Sequence, residues 1–131
     1  MKFTWEGREH KTSLTGYEVD PNFLDSKSSL HQRAYALLKS LYPFDIILQE
    51  VPCFGTRLHI DLFVPTRKLA VECQGEQHSV QGFFHKNKYD FLKGQSRDKT
   101  KVAWCKANSI ELICLDYTED DTEWRRRLLG G

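Results

Sequence analysis

The fold is decided by residues 57–74, where the sequence reads RLHIDLFV, then PTRK, then LAVECQ. Apolar and polar side chains alternate in the first and third of these segments. Such alternation is typical of β-strands, because successive side chains point to opposite faces. The central segment is a polar turn, short enough for the two strands to pair antiparallel. The sequence therefore predicts a β-hairpin with one apolar face.

The other face of this hairpin carries polar side chains. Asp61 lies on the first strand, and Glu72 and Gln74 lie on the second. Burying neighbouring carboxylates without a cation costs several kcal/mol, and Mg²⁺ prefers oxygen ligands from one or two carboxylates. The hairpin therefore predicts a Mg²⁺ site at Asp61 and Glu72, with Gln74 as a ligand or as the residue that positions a water. The same alternation is also typical of an antiparallel sheet with one solvated face.

Helices and further strands flank the hairpin. Ser29 and Gln32 form a capping pattern, apolar residues follow at helical spacing as far as Leu41, and Pro43 ends that helix. Residues 45–51 predict a strand, residues 96–107 a helix with a basic outer face, residues 110–115 a buried strand and residues 116–129 a final helix. This order predicts an α/β fold, in which a mixed β-sheet has helices on its faces.

Length and composition are those of one folded domain. The chain has 131 residues, of which 40% are hydrophobic and 28% are charged. A chain of this size and balance buries one core, and its composition does not indicate disorder. We therefore expect an irregular or weakly extended N-terminal arm at residues 1–27 and a single domain at residues 28–131.

The sequence carries no membrane signal and no paired-cysteine motif. No apolar run approaches the roughly 18–20 residues that cross a bilayer, and the first residues have no apolar signal core. The cysteines form no C-x-x-C pair, so neither a zinc ribbon nor a redox motif is indicated. We expect reduced thiols, a cytoplasmic protein and no membrane partner; two disulfides are the alternative. The cysteines are Cys53, Cys73, Cys105 and Cys114.

Positive charge is concentrated in one segment, although the formal net charge is only +1. Between His85 and Lys106 the cations outnumber the acids, and aromatic residues are interspersed. This pattern predicts a surface that contacts nucleic-acid phosphates, with a solvated helix face as the alternative. The candidate phosphate contacts are Lys86, Lys88, Arg97, Lys99 and Lys101.

Residues 60–78 resemble the core of the PD-(D/E)xK nuclease superfamily, and the likeness extends over residues 28–115. Within the superfamily, the chain is most similar to small phage and bacterial endonucleases related to the very-short-patch mismatch repair enzyme. The resemblance implies a restriction-endonuclease-like αβββαβ core. The residues that carry it are Asp61, Glu72, Gln74, Gly75 and His78, together with Arg97, Asp98 and Trp104 in the helix that follows.

The resemblance implies a DNA endonuclease that hydrolyses phosphodiester bonds, with Mg²⁺ held by Asp61 and Glu72. Mn²⁺ would substitute for Mg²⁺. Gln74 stands where most members have Lys, and a neutral amide cannot supply the charge of that Lys. His78 is the candidate general base, because an unperturbed imidazole accepts a proton near neutral pH; deprotonation of a metal-bound water is the alternative.

Three further residues are candidates for roles beside Asp61 and Glu72. Glu50 could add a ligand or support one, because His31 occupies the place on the first helix where many relatives have Glu. Asp98 could orient a catalytic group next to Arg97, or it could form an ion pair on the helix surface. His59 shares the predicted face of Asp61 and is expected at the surface.

A catalytically inactive nucleic-acid-binding protein that keeps the nuclease fold is the alternative function, and Gln74 is its main support. A protein whose basic segment binds an acidic partner surface is a third hypothesis. For the nuclease hypothesis, a homodimer would be the simplest route to a double-strand break.

Overall fold

The computed structural model describes residues 1–19, 29–74 and 99–130. Its helices are α1 (Ser29–Leu41), α2 (residues 99–107) and α3 (Asp121–Leu128). Its strands are β1 (Lys2–Trp5), β2 (Arg8–Lys11), β3 (Leu48–Pro52), β4 (His59–Val64), β5 (Leu69–Gln74) and β6 (Glu111–Asp116). A 3-10 helix, Pro65–Arg67, joins β4 to β5.

Strands β3 to β6 form one mixed sheet in the order β3-β4-β5-β6. β4 pairs antiparallel with β3 and with β5, and β5 pairs parallel with β6. Parallel neighbours need a crossover connection, and α2 lies within the crossover from β5 to β6. The predicted β4–β5 hairpin is therefore confirmed, and it occupies the centre of the sheet.

Apolar side chains bury both faces of this sheet. On one face, Leu62 and Val71 belong to a core that includes residues of α1 and α3. On the other face, Phe63 and Ala70 belong to a second core that includes Trp104 of α2. The central hairpin thus lies between two packed layers, and the expectation of a sheet with one solvated face does not hold for it.

An arginine of α1 fastens that helix to α3. The guanidinium carbon of Arg33 lies 3.6 Å from the ring centroid of Trp124, and Arg33 Nε donates to the Asp121 carboxylate at 2.6 Å. Trp124 is buried, and its indole N–H donates to the backbone carbonyl of Asp116 at 2.9 Å. These contacts hold α1, which carries His31 in its first turn, against the end of β6.

The first residues of the chain form a β-hairpin that completes the second core. β1 and β2 pair antiparallel around a turn at Glu6 and Gly7, whose φ angles are 51° and 78°. Phe3 is 1% exposed and stacks on Trp104, with 5.2 Å between the ring centroids. The expectation of an irregular or weakly extended arm is therefore wrong for residues 2–11, because a buried aromatic residue there packs against α2.

Hydrogen bonds and close packing hold this hairpin in place. The backbone N–H of Thr4 donates to Asn108 Oδ1 at 2.7 Å, and Asn108 Nδ2 donates to the carbonyl of Thr4 at 3.0 Å. At Gly55, where φ is 99°, an added Cβ would lie 3.1 Å from the side chains of Trp5 and His10. The hairpin therefore packs directly on the turn that follows β3.

The elements from α1 to α3 follow the order predicted from the sequence. The chain is an α/β protein with a mixed sheet flanked by helices. All four cysteines are free thiols, as expected. Among the residues that the structure describes, no helix has the length and apolar character that a membrane span requires.

Candidate active site

Two carboxylates meet where β4 and β5 separate. The β4–β5 ladder ends at the pair Leu62 and Val71. One residue further along each strand, the backbone N–H of Asp61 donates to Glu72 Oε2 at 3.3 Å, and Asp61 Oδ2 accepts from the backbone N–H of Cys73 at 2.9 Å. The carboxylates thus take the hydrogen bonds that a continued ladder would supply.

The alternation of β4 breaks at this point. Leu62 packs in the core on the α1 side, whereas Ile60 packs in the core on the α2 side. In a regular strand these two residues would share a face. On the neighbouring strand, Glu50 has a φ of 50° and lies between the residues that pair with Leu62 and Ile60. The uniform alternation expected from the sequence is therefore interrupted at Asp61, and its carboxylate reaches the α1 side.

Each carboxylate has its own partner from a different helix. Nε2 of His31, on α1, lies 3.6 Å from Asp61 Oδ1. Lys101, on α2, donates from Nζ to Glu72 Oε1. The Glu72 side chain is 11% exposed and the Lys101 side chain is 21% exposed, so this ion pair is largely removed from water. Asp61 contacts the α1 layer and Glu72 contacts the α2 layer, and the two residues meet between β4 and β5 where these strands separate.

The protein environment favours the ionised form of Asp61. Burial alone would raise the pKa of its carboxyl group. Hydrogen bonds with His31 and Glu72, together with the one from the Cys73 backbone N–H, outweigh burial and lower the pKa below its ordinary value. Asp61 is therefore negatively charged throughout the neutral range.

Glu72 has the opposite preference. Burial raises its pKa, and the hydrogen bond and negative charge of Asp61 raise it further, so the pKa is about 8 although Lys101 opposes the shift. Burial opposes the ionised form of Lys101 as well, but the charge of Glu72 and the hydrogen bond to it raise the pKa of Lys101. The two neighbouring carboxyl groups therefore have pKa values shifted in opposite directions, that of Asp61 downward and that of Glu72 upward, as expected of two coupled acids.

A thiol adds a third kind of donor to this region. One ligand atom each of His31, Asp61 and Cys73 lies within 4.8 Å of the other two. Burial raises the pKa of Cys73 well above its ordinary value, and the negative charges of Asp61, Glu72 and Glu50 add to that shift. The region therefore presents imidazole, carboxylate and thiol groups together.

The remaining predicted site residues in the described part of the chain are Gln74, Glu50 and Lys99. Gln74 is half-buried at the end of β5, and its backbone carbonyl accepts from the N–H of Tyr117 at 3.0 Å. Glu50 is half-buried and lies opposite Asp61 on the neighbouring strand. Lys99 is exposed at the start of the described part of α2.

Several candidate residues lie outside the described residues. His78 was the candidate base, Lys86, Lys88 and Arg97 were candidate phosphate contacts, and Asp98 was a candidate accessory residue. The structure places none of these five.

Sequence reasoning did not find three features of the site. It assigned Lys101 to phosphate contacts, whereas Lys101 binds Glu72 inside the protein. It noted His31 only as the occupant of a position where relatives have Glu, and it named Cys73 as one of the expected reduced thiols. The available signals were the placement of His31 in the first turn of a helix that precedes the acidic hairpin, and the adjacency of Cys73 to Glu72.

The fold and the site define an α/β protein with one buried and one half-buried carboxylate where two central strands of a mixed sheet separate. The chain is similar to viral proteins. It is 43% identical over 68 residues to Uncharacterized protein 033L of Invertebrate iridescent virus 3, a match that covers 51% of this chain and 35% of that protein. It is 43% identical over 65 residues to Uncharacterized protein 307L of Invertebrate iridescent virus 6, covering 49% and 33%.

A third relative is Uncharacterized protein 094L of Frog virus 3 (isolate Goorha), which is 38% identical over 74 residues; the match covers 55% of this chain and 48% of that protein. The matched segments thus span about a third to a half of the length of these relatives. No family model matches the chain, and no solved structure matches it.

Proposed function

We propose that the chain is a metal-dependent DNA endonuclease of the PD-(D/E)xK type with a restriction-endonuclease-like core. The observation that carries the proposal is the contact between the half-buried Asp61 and the buried Glu72 where β4 and β5 separate. Two adjacent buried acids are costly unless a cation or proton neutralises part of their charge. Acids in this arrangement are typical of hydrolases that use a divalent cation.

The donor set fits Mg²⁺. Asp61 is ionised, and Glu72 becomes so when its proton is displaced, which gives the two carboxylates from which Mg²⁺ sites are commonly built. Asp61 and Glu72 would hold the ion, and Mn²⁺ would occupy the same ligands. When bound, the cation polarises the scissile phosphate and acidifies the attacking water. The chain itself holds Asp61 in place through His31 and the backbone N–H of Cys73.

Lys101 supports the proposal because it supplies the positive charge that is missing at position 74, where this chain has Gln and most members of the superfamily have Lys. The amide of Gln74 is neutral, but Lys101 brings a positive charge to the same Glu72 carboxylate from the facing helix. A fixed ammonium group in a site shielded from water stabilises negative charge that develops on a phosphate oxygen. We therefore assign to Lys101 the role that a Lys at position 74 would otherwise have, and we retain His78 as the proposed base.

The proposed substrate is DNA. Lys99 is exposed on α2, two residues before Lys101, and the basic residues that precede it in sequence are Lys86, Lys88 and Arg97. Cations along one segment neutralise flanking phosphates, which gives salt-sensitive affinity with little sequence preference. A homodimer would place two such centres on opposite strands.

The test is cleavage of supercoiled plasmid by the wild type and by Asp61→Asn, each with Mg²⁺, Mn²⁺ or EDTA. We expect nicking with either metal, none with EDTA, and a loss of at least about 100-fold in rate for Asp61→Asn, because one of the two anionic ligands is removed. Cleavage that persists unchanged in Asp61→Asn would contradict the proposal.

Lys101→Met and Lys99→Met separate catalysis from phosphate binding on the same helix. We expect Lys101→Met to lower the cleavage rate at saturating DNA by about 100-fold or more, since a preorganised donor to developing charge is worth that much. Lys99→Met should mainly weaken DNA binding and reduce its salt dependence. Equal effects of the two substitutions on the saturated rate would show that Lys101 is only a surface cation.

A nucleic-acid-binding protein without turnover is the second candidate, and Gln74 is the observation that favours it. In that case the plasmid would be retarded in a gel but not cut with any metal. Replacement of Gln74 by Lys would then be expected to create metal-dependent cleavage, because it adds charge next to Glu72 on the same strand.

A further inference from the structure

His31, Asp61 and Cys73 form a set of three donors beside the carboxylate pair. One ligand atom from each lies within 4.8 Å of the other two. His31 belongs to α1, Asp61 to β4 and Cys73 to β5, so the three donors come from separate elements of one packed unit. Because the three donors belong to packed elements, the fold fixes their relative positions.

The chemistry of these donors differs from that of the pair Asp61 and Glu72. Imidazole and thiolate bind Zn²⁺ and softer cations strongly, whereas Mg²⁺ takes oxygen ligands. In a tetrahedral zinc site the ligand atoms lie roughly 3.3–3.8 Å apart, given metal–ligand distances of about 2.0–2.3 Å. Donor atoms as far apart as 4.8 Å therefore have to approach one another by about 1–1.5 Å when the cation binds.

The surroundings hold the three donors near this geometry. Asp61 Oδ2 accepts from the backbone N–H of Cys73 at 2.9 Å, which ties two of the donors together. His31 lies 3.6 Å from the other oxygen of Asp61 and is anchored by a helix whose Ala34 and Leu38 are fully buried. His31 and Asp61 are each between a fifth and a quarter exposed, so a cation can enter from solvent.

We propose that His31, Asp61 and Cys73 form a binding site for a thiophilic divalent cation such as Zn²⁺ or Cd²⁺, and that a cation bound there withdraws Asp61 from Glu72. On binding, the Cys73 sulfur–hydrogen bond breaks, a sulfur–metal bond forms, and the proton passes to solvent. Binding is independent of the proposed function. The consequence that the bound cation inhibits Mg²⁺-supported cleavage rests on the proposed function, because Asp61 belongs to both sites.

The first experiment titrates Cd²⁺ into the metal-free, reduced full chain and follows the ultraviolet charge-transfer band of a cadmium–thiolate bond. We expect saturation at one equivalent in the wild type and in Cys114→Ser, which removes a half-buried thiol from the neighbouring strand β6. The band should be lost in Cys73→Ser. A band of wild-type size in Cys73→Ser would place the thiolate elsewhere and overturn the proposal.

His31→Ala provides a second variant that does not disturb the buried strand. We expect it to weaken Cd²⁺ binding at least about tenfold, since even the loss of a residue that supports a metal ligand has an effect of that size. Unchanged affinity in His31→Ala overturns the proposed ligand set, including in the case that Cys73→Ser does not fold.

The second experiment measures plasmid cleavage in Mg²⁺ with and without added Zn²⁺, as the ratio of the two rates for each protein. We expect Zn²⁺ to lower the rate in the wild type and in Cys114→Ser, and to have a smaller relative effect in Cys73→Ser. Cd²⁺ binding without any inhibition by Zn²⁺ would overturn the competition for Asp61. If the wild type does not cleave DNA at all, the proposed function fails, and the Cd²⁺ titration still decides the binding site.

Discussion

Ionisation of Glu72 should make the metal-free protein less stable as the pH rises. The pKa of Glu72 is about 8 in the folded protein, against 4.5 for the ordinary side chain. An acid with a raised pKa binds its proton more tightly in the folded state. Its contribution to stability is therefore complete below about pH 4.5 and is lost as the pH rises through about 8.

The size of this effect follows from the same pKa difference. At about 1.4 kcal/mol for each pH unit, the interval from 4.5 to about 8 corresponds to roughly 5 kcal/mol of unfolding free energy. The contribution of Asp61 to stability is constant in this interval, because its pKa is lowered and the contribution is lost only at more acidic pH. We therefore expect the wild type to lose roughly 3–5 kcal/mol relative to Glu72→Gln between about pH 5 and about pH 8.

Urea denaturation in EDTA, followed by the fluorescence of the buried Trp104 and Trp124, measures this difference. Glu123→Gln is a suitable control, because Glu123 is paired with Arg126 at the surface and its pKa is lowered. Its effect should not change over the same pH interval. A stability difference between the wild type and Glu72→Gln that is equal at both ends of the interval would refute the argument that the fold holds Glu72 protonated.

The N-terminal hairpin gives two further predictions. Phe3→Ala should lower the unfolding free energy by about 3–5 kcal/mol, because it leaves a cavity against Trp104. As a control, Phe44→Ala, at a side chain that is 98% exposed, should change the unfolding free energy by less than about 0.5 kcal/mol. Equal effects of the two substitutions in urea denaturation would be inconsistent with a hairpin that completes the core. Asn108→Ala should cost about 0.5–1.5 kcal/mol, because it removes solvent-exposed hydrogen bonds to the backbone of Thr4. Hydrogen exchange at the Thr4 amide should then accelerate, and protection equal to that of the wild type would argue against this role of Asn108.

Local patterns predicted most of the scaffold. The alternation of residues 57–74 and the leucine stripe of α1 arise from neighbours in sequence, so the period alone reveals a strand or a helix. The N-terminal hairpin was missed although Phe3 and Trp5 alternate with polar residues before Gly7. Only a distant partner, Trp104, shows that this short alternation belongs to the core.

The site was only partly predictable. Asp61 and Glu72 could be found because two acids interrupt two apolar strands connected by one turn. The ion pair of Glu72 with Lys101 could not be found in this way, because α2 and β5 meet only in the folded protein. The break in alternation at Asp61 cannot be seen in the sequence, because Ile60 and Leu62 are both apolar. They differ only in the core to which each belongs.

The packing of the N-terminal hairpin on α2 has a consequence for protein synthesis. Thr4 binds Asn108, which leaves the ribosome 104 residues later. At about 5–20 residues per second, the hairpin waits roughly 5–20 s after it emerges for its contacts with α2 and Asn108. Glu72 and Asp61 also emerge before Lys101 does. Nascent chains that stop before α2 therefore lack the Trp104 side of the second core and the Lys101 partner of Glu72, which makes truncated products targets for chaperones and for degradation.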